Sequence, residues 1–233
     1  RKLKLKNSKG IHRTAWDMKG SSLWPVTKNT TDKNSQNRGW YVAPGNYIAQ
    51  LYRIEGKDIS TLGNTVEVNL KPLSKSTLVP QSILEQQAYA KQYMDAQVRR
   101  NIIMKRYNEI QNKTKAMLVA TKKGSSPLSS VISPLQAIND SIIELKKSLY
   151  GNEAKNAVGE KKYPTLNDRM NAAGASLWGS SYGPTQTSKN SLAIANELMD
   201  NYENQITELN TQLEKLYNDL KDAGAPVILE MVD

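Results

Sequence analysis

The chain has 233 residues with 32 Lys/Arg against 22 Asp/Glu, a formal charge of +10, and 38% hydrophobic residues, enough to bury a core. It has no cysteine and no phenylalanine, and one histidine, His12. That composition excludes disulfides, thiolate metal sites, Cys nucleophiles and His-rich metal clusters. No apolar run approaches the roughly 20 residues that cross a bilayer, and no transmembrane segment is expected. Residue 1 is Arg, without an initiating Met or a signal h-region, so the chain is expected to be a piece of a longer protein.

The excess charge is uneven. Residues 1–77 carry 14 Lys/Arg and 5 Asp/Glu, whereas residues 78–233 carry 18 and 17. Much of it lies in Arg1-Lys2-Leu3-Lys4-Leu5-Lys6-Asn7-Ser8-Lys9, where Lys alternates with Leu at period 2, the pattern of a short strand with one buried face. A nucleic-acid groove would add stacking aromatics or a basic helix face, so nucleic acid is not the expected partner. An anionic polymer remains a third reading.

Up to about Pro72, short alternating runs are separated by turn clusters, and the reading is an N-terminal Ig-like or fibronectin-like β-sandwich over residues 1–77. Ile11–Trp16 reads as one strand. Tyr47–Ile54 is a second, turned by Glu55-Gly56-Lys57-Asp58 into Thr65–Leu70. The polar stretch Val26–Gly39 reads as a long loop.

From Pro80 the period becomes helical, and residues 78–233 are expected to form an antiparallel helical bundle with two long helices. The fold class is thus α+β in two segregated domains. Ser82 and Glu85 have capping-box spacing. Behind them Tyr89, Tyr93, Ala96, Arg100, Ile103, Tyr107, Ile110, Thr114 and Met117 step by 4 and 3 along a helix over about 82–122. Arg100 and Thr114 are the irregularities of that seam. Ser133-Pro134 opens a shorter helix, about 134–150, with the stripe Leu135, Ile138, Ile142, Leu145 and Leu149. Another, about 165–177, buries Leu166, Met170, Ala173 and Leu177. The last, about 185–222, carries Ala195, Met199, Tyr202, Ile206, Leu209, Leu213, Leu216 and Leu220. The matched lengths of the long helices predict that they lie antiparallel, with the short ones completing an up-down bundle.

Catalytic patterns are missing. No Gly-x-Ser-x-Gly elbow accompanies His12, and Lys123-Gly124-Ser125-Ser126 lacks the upstream glycine of a P-loop. Acids such as Glu197, Asp200, Glu203 and Glu208 fall off the apolar seam and read as solvated helix faces. The chain is therefore expected not to be an enzyme, and no catalytic residue, metal or cofactor is assigned. Trp40, Tyr41, Trp178 and Tyr182 are the candidate platforms for a glycan ligand or a partner, because indole and phenol rings stack on sugars and anchor interfaces.

Two stretches, Gly10-Ile11-His12-Arg13-Thr14-Ala15-Trp16-Asp17-Met18 and Val42-Ala43-Pro44-Gly45-Asn46-Tyr47, join with Tyr163-Pro164-Thr165-Leu166-Asn167-Asp168-Arg169 and Pro184-Thr185-Gln186-Thr187 further on. The series resembles the C-terminal, Ig-like plus helical region of secreted bacterial sortilin-like, neuraminidase-repeat β-propeller proteins of the Bacteroidetes type, often labelled glycosyl hydrolases. The resemblance implies Trp16 as sandwich core, Asp17 as a turn or strand-end acceptor, and Pro44-Gly45 as the turn before the strand at Tyr47. It also implies an accessory module that is secreted, periplasmic or on the bacterial cell surface, docking its own propeller or a cell-envelope protein. A carbohydrate-binding module is the alternative.

Overall fold

The computed structural model describes residues 1–22, 39–73, 81–123, 129–160, 163–179 and 182–231, so the expected loop 26–39 lies outside the described residues apart from Gly39. The elements are β1 (Gly45–Glu55), β2 (Asp58–Leu70), α1 (Ile83–Lys123), α2 (Ser129–Tyr150), α3 (Glu153–Ala157), α4 (Leu166–Gly179) and α5 (Gln186–Asp222), then a 3-10 turn at Leu229–Met231. The chain divides into two compact units, Arg1–Lys91 with Ser180–Pro184, and Gln92–Gly179 with Thr185–Asp233.

The first unit overturns the expectation of an Ig-like β-sandwich. Among the described residues its β structure is one two-stranded antiparallel sheet, β1 with β2, turned at Gly56-Lys57, and the first turns of α1 are its helix. Ile11–Trp16 is not a strand, and neither is the Lys/Leu segment before it. A sandwich needs an inner face on each of two sheets. Here the apolar residues of the hairpin divide between its two faces: Tyr47, Ala49 and Leu51 pair with Val68, Val66 and Leu62, while Ile48, Tyr52 and Ile54 point the other way. No face can be set aside as a core. Among the described residues before Tyr89, Gly39 alone is buried. Turn spacing and alternation are common to a hairpin and a sandwich, so the sequence pattern could not separate them.

The second unit is built from helix seams. The capping box of α1 forms as spaced: the Ser82 amide donates to Glu85 Oε2 at 2.9 Å and the Glu85 amide to Ser82 Oγ at 3.1 Å. From Tyr93 onward the α1 seam is buried at Tyr93, Ala96, Ile103, Tyr107, Ile110, Thr114 and Met117. All eight seam residues from Ala195 to Leu220 on α5 are buried too. Helix α2 starts at Ser129, one turn before the expected Pro134, which lies inside it. The missing Pro134 N–H forfeits one helix bond, yet Val131 is buried four residues before the buried Leu135. Burial extends the stripe backward through the proline.

The helix directions also correct the sequence reading. Arg99 of α1 pairs with Asp200 and Glu203 of α5, and Lys113 of α1 hydrogen-bonds Asn210 of α5 at 3.1 Å. Both helices advance together, so the two long helices are parallel rather than antiparallel. The descending leg is made of two shorter helices in tandem. Helix α2 runs down beside the second half of α1, with Tyr107 and Tyr150 edge to face at 6.0 Å. Helix α4 continues downward, Asn167 accepting from Arg100 and Gly174 lying against Tyr93. Their 22 and 14 residues together match the 37 of α5. Ser148 with Tyr202, and Ser188 with the Ala172 carbonyl, join this broken leg to α5. Equal helix lengths suggested a hairpin of two; they reflect a three-legged bundle whose middle leg is interrupted.

Candidate functional site

Among the described residues of the first unit, the β1–β2 hairpin groups several exposed apolar side chains. Its register runs from Gly45 opposite Leu70 to Glu55 opposite Asp58, with a bulge between Ala49 and Leu51. At the bulge the Gln50 side-chain amide donates to the carbonyls of Leu51, at 3.0 Å, and of Gly63, at 3.3 Å. These bonds satisfy part of the backbone that the ladder leaves unpaired. Ile48 is 72% exposed, Ile54 and Ile59 63% each, and Val66 60%. Fully burying one such side chain is worth about 1.5–3 kcal/mol. A lone two-stranded hairpin is at best marginally stable in water, and a third strand or a packed layer is what normally secures it. Among the described residues no third strand pairs with either outer edge, and a sheet edge presents a row of backbone groups that another strand can pair with.

At the base of the hairpin lies a small knot centred on Lys19. The Trp16 indole N–H donates to the Lys19 carbonyl at 2.8 Å, and its ring meets Tyr47 edge to face at 5.4 Å. Trp16 is half-buried there, so it is the knot's aromatic member and not the core of a sandwich. Asp17 accepts from the Lys19 amide at 3.2 Å and from the Arg1 guanidinium. The Arg1 hydrogen bond, with help from the Lys19 amide, holds the Asp17 carboxyl below its ordinary range. Lys19 bridges Tyr41, while Gly20 N donates to Trp40 O and Val42 N to Met18 O, both at 2.9 Å. Met18 takes a φ of 57°, a left-handed conformation uncommon for a non-glycine residue. Gly39 is needed at this knot, since a Cβ there would sit 2.1 Å from the Gly20 carbonyl oxygen.

The four platform residues take different places. Trp40 is half-buried beside the knot. Tyr41 is exposed, but the Lys19 ammonium stands over its ring at 5.1 Å and its carbonyl accepts from Gln87 at 2.8 Å. A sugar stacking on that face would have to displace a cation. The Tyr182 carbonyl accepts from the Gln81 amide at 2.9 Å, and its side chain is exposed. Trp178 lies in the last turn of α4, and its side chain is outside the described residues. Pro44 precedes β1, and Gly45 opens it opposite Leu70. Tyr47, which sequence reasoning treated only as a strand residue, donates its hydroxyl to the Ala43 carbonyl and closes the turn between them.

The Tyr163–Arg169 motif acquires a local structural role. Thr165 and Asp168 cap α4 reciprocally, the Thr165 amide donating to Asp168 Oδ2 at 2.9 Å and the Asp168 amide to Thr165 Oγ1 at 3.2 Å. Asn167 accepts from Arg100 Nε at 2.8 Å, and Arg100 also donates to Gln97 at 3.1 Å. Gln97 in turn donates to the Tyr93 hydroxyl at 2.6 Å. Arg100, one irregularity of the α1 seam, is therefore the hub of a polar layer. Thr114, the other, is buried and donates to the Ile110 carbonyl at 2.8 Å within its own helix. Among the described residues no group of His, Asp and Glu is arranged to hold a metal ion, and no helix is long and apolar enough to cross a membrane.

No protein-family model, curated protein or solved structure matches the chain. The resemblance to sortilin-like propeller proteins consequently rests on the quoted motifs alone.

Proposed function

We propose that the chain is a non-catalytic interaction module of a secreted or cell-surface β-propeller protein, docking a protein partner through the β1–β2 hairpin. One observation carries the reading. The hairpin leaves large aliphatic side chains exposed on both faces, and among the described residues no third strand pairs with either of its edges. Edge addition supplies main-chain hydrogen bonds, and alternate side chains supply specificity. The partner is then the propeller of the same protein or a cell-envelope protein.

Amide hydrogen exchange over residues 45–70 tests the proposal, measured on this chain alone and within the propeller-containing protein. Slowing at alternate amides of one strand is the expected result. Equal exchange in both samples would refute docking through this element. An Ile48→Glu, Ile59→Glu variant should abolish the slowing and leave the helical circular dichroism unchanged, because both side chains are exposed in the isolated chain.

A further inference from the structure

Helix α1 carries a second 4-3 pattern on the side away from its buried seam. Lys91, Asp95, Val98, Ile102, Lys105 and Glu109 each stand two residues beyond a seam position, about 200° around the helix, and all six are exposed. Val98 and Ile102, 36% and 45% exposed, lie one turn apart and form a single apolar patch. Asp95 precedes this patch by the same three residues by which Lys105 follows it, and Lys91 and Glu109 stand four further out on either side. The six are therefore self-complementary about the level of Arg100.

We propose that this face joins two copies of the chain in an antiparallel, two-fold dimer. Across the axis Val98 meets Ile102, Asp95 meets Lys105 and Lys91 meets Glu109, and the symmetry makes each pair occur twice. A slip of one heptad in either direction sets Val98 and Ile102 against charged residues, and a parallel pairing opposes like charges, so the pattern selects this register. Arg99, beside the axis, is already held by Asp200 and Glu203 of α5. Lys105 reaches Glu109 of its own helix at 3.5 Å and has further N–H donors for a partner. A helix face about 27 Å long falls short of the standard interface of about 800 Å² per partner, so the dimer is weak, with a Kd on the order of 0.1–1 mM. None of these residues belongs to the hairpin, and the dimer stands whether or not the hairpin docks a protein.

Sedimentation equilibrium of the chain at about 0.02 to 1 mM, in about 50 mM NaCl where exposed ion pairs are weakly screened, tests it. The weight-average mass of the wild type should rise with concentration from the monomer toward twice that value. Asp95→Lys and Lys105→Glu each oppose like charges twice across the axis, and each should weaken association about tenfold or more. An equimolar mixture of the two variants regains both pairs in a heterodimer and should associate as the wild type does. The Asp95→Lys, Lys105→Glu double variant should do the same. Helical circular dichroism should be unchanged throughout, because both side chains are exposed. A wild type that stays monomeric at the highest concentration would overturn the proposal, as would single variants that associate like the wild type or a mixture that does not recover. The Ile48→Glu, Ile59→Glu variant should keep wild-type association; its loss would place the contact on the hairpin and overturn the assignment to α1.

Discussion

Gly174 of α4 is a position where helix propensity and packing oppose each other. Replacing glycine with alanine inside a helix ordinarily stabilises it by about 0.8–1 kcal/mol. Here the new Cβ would meet the Tyr93 hydroxyl at 2.6 Å, Cζ at 2.8 Å and Cε2 at 3.1 Å. Tyr93 is 5% exposed and its hydroxyl accepts from Gln97, so the ring has nowhere to retreat without breaking that bond. Overpacking of this kind costs about 1–3 kcal/mol, and the lost hydrogen bond about 1 more. Gly174→Ala should therefore destabilise the bundle by a net of about 1–3 kcal/mol. Urea unfolding followed by helical circular dichroism reads the difference. In a Tyr93→Leu background the obstruction is gone, and the same substitution should instead stabilise by up to about 1 kcal/mol. A stabilising Gly174→Ala in the wild-type background, or the same sign in both backgrounds, would refute the account of the α1–α4 contact.

Glu203 should make the bundle acid-sensitive. Hydrogen bonds from Arg99 lower its carboxyl below the ordinary value of 4.5, so its contribution is complete above that value and is lost as pH falls through the lower folded one. With both side chains about a third exposed, the loss should be no more than about 1 kcal/mol. Melting temperatures at pH 7, 4 and 3 should fall more steeply for the wild type than for Glu203→Gln. Gly39→Ala should open the Gly20–Trp40 contact, and faster exchange of the Gly20 and Val42 amides by NMR would register it. Thr185→Ala removes the side chain that accepts from the Ser188 amide at the start of α5. It should cost about 1 kcal/mol in urea unfolding, and substantially less with Thr185→Ser.

The helical half was legible because each leg writes its buried face into sequence at 3.5-residue spacing. Met199, Tyr202, Ile206 and Leu209 could hardly be anything but a seam. What spacing does not encode is direction: 4-3 stripes look the same for parallel and antiparallel neighbours. The deciding groups were Arg99 and Lys113, polar residues beside the seam whose partners lie a near-constant distance ahead in sequence. In the first unit the failure has another cause. Val66, Val68 and Leu70 do share one face, but Ile48, Tyr52 and Ile54 occupy the opposite one, and alternation does not reveal whether a second sheet exists. Of the candidate site, the hairpin turn at Glu55–Asp58 was visible as a turn cluster between apolar runs; the knot at Lys19, which depends on the left-handed backbone of Met18 and the Trp16 hydrogen bond, was not.

Parallel alignment of α1 and α5 has an electrostatic consequence. Lys113 stands beside Asn210, and the two helices end ten and twelve residues further on, at Lys123 and Asp222. At about 1.5 Å per residue their ends fall within roughly 3 Å of the same level. Two negative helix-macrodipole poles of about half an elementary charge each therefore share one end of the bundle with the single positive pole at the start of α2, which leaves a net negative charge there. Lys122, Lys123 and Lys221 occupy the last turns at that end and neutralise the accumulated charge.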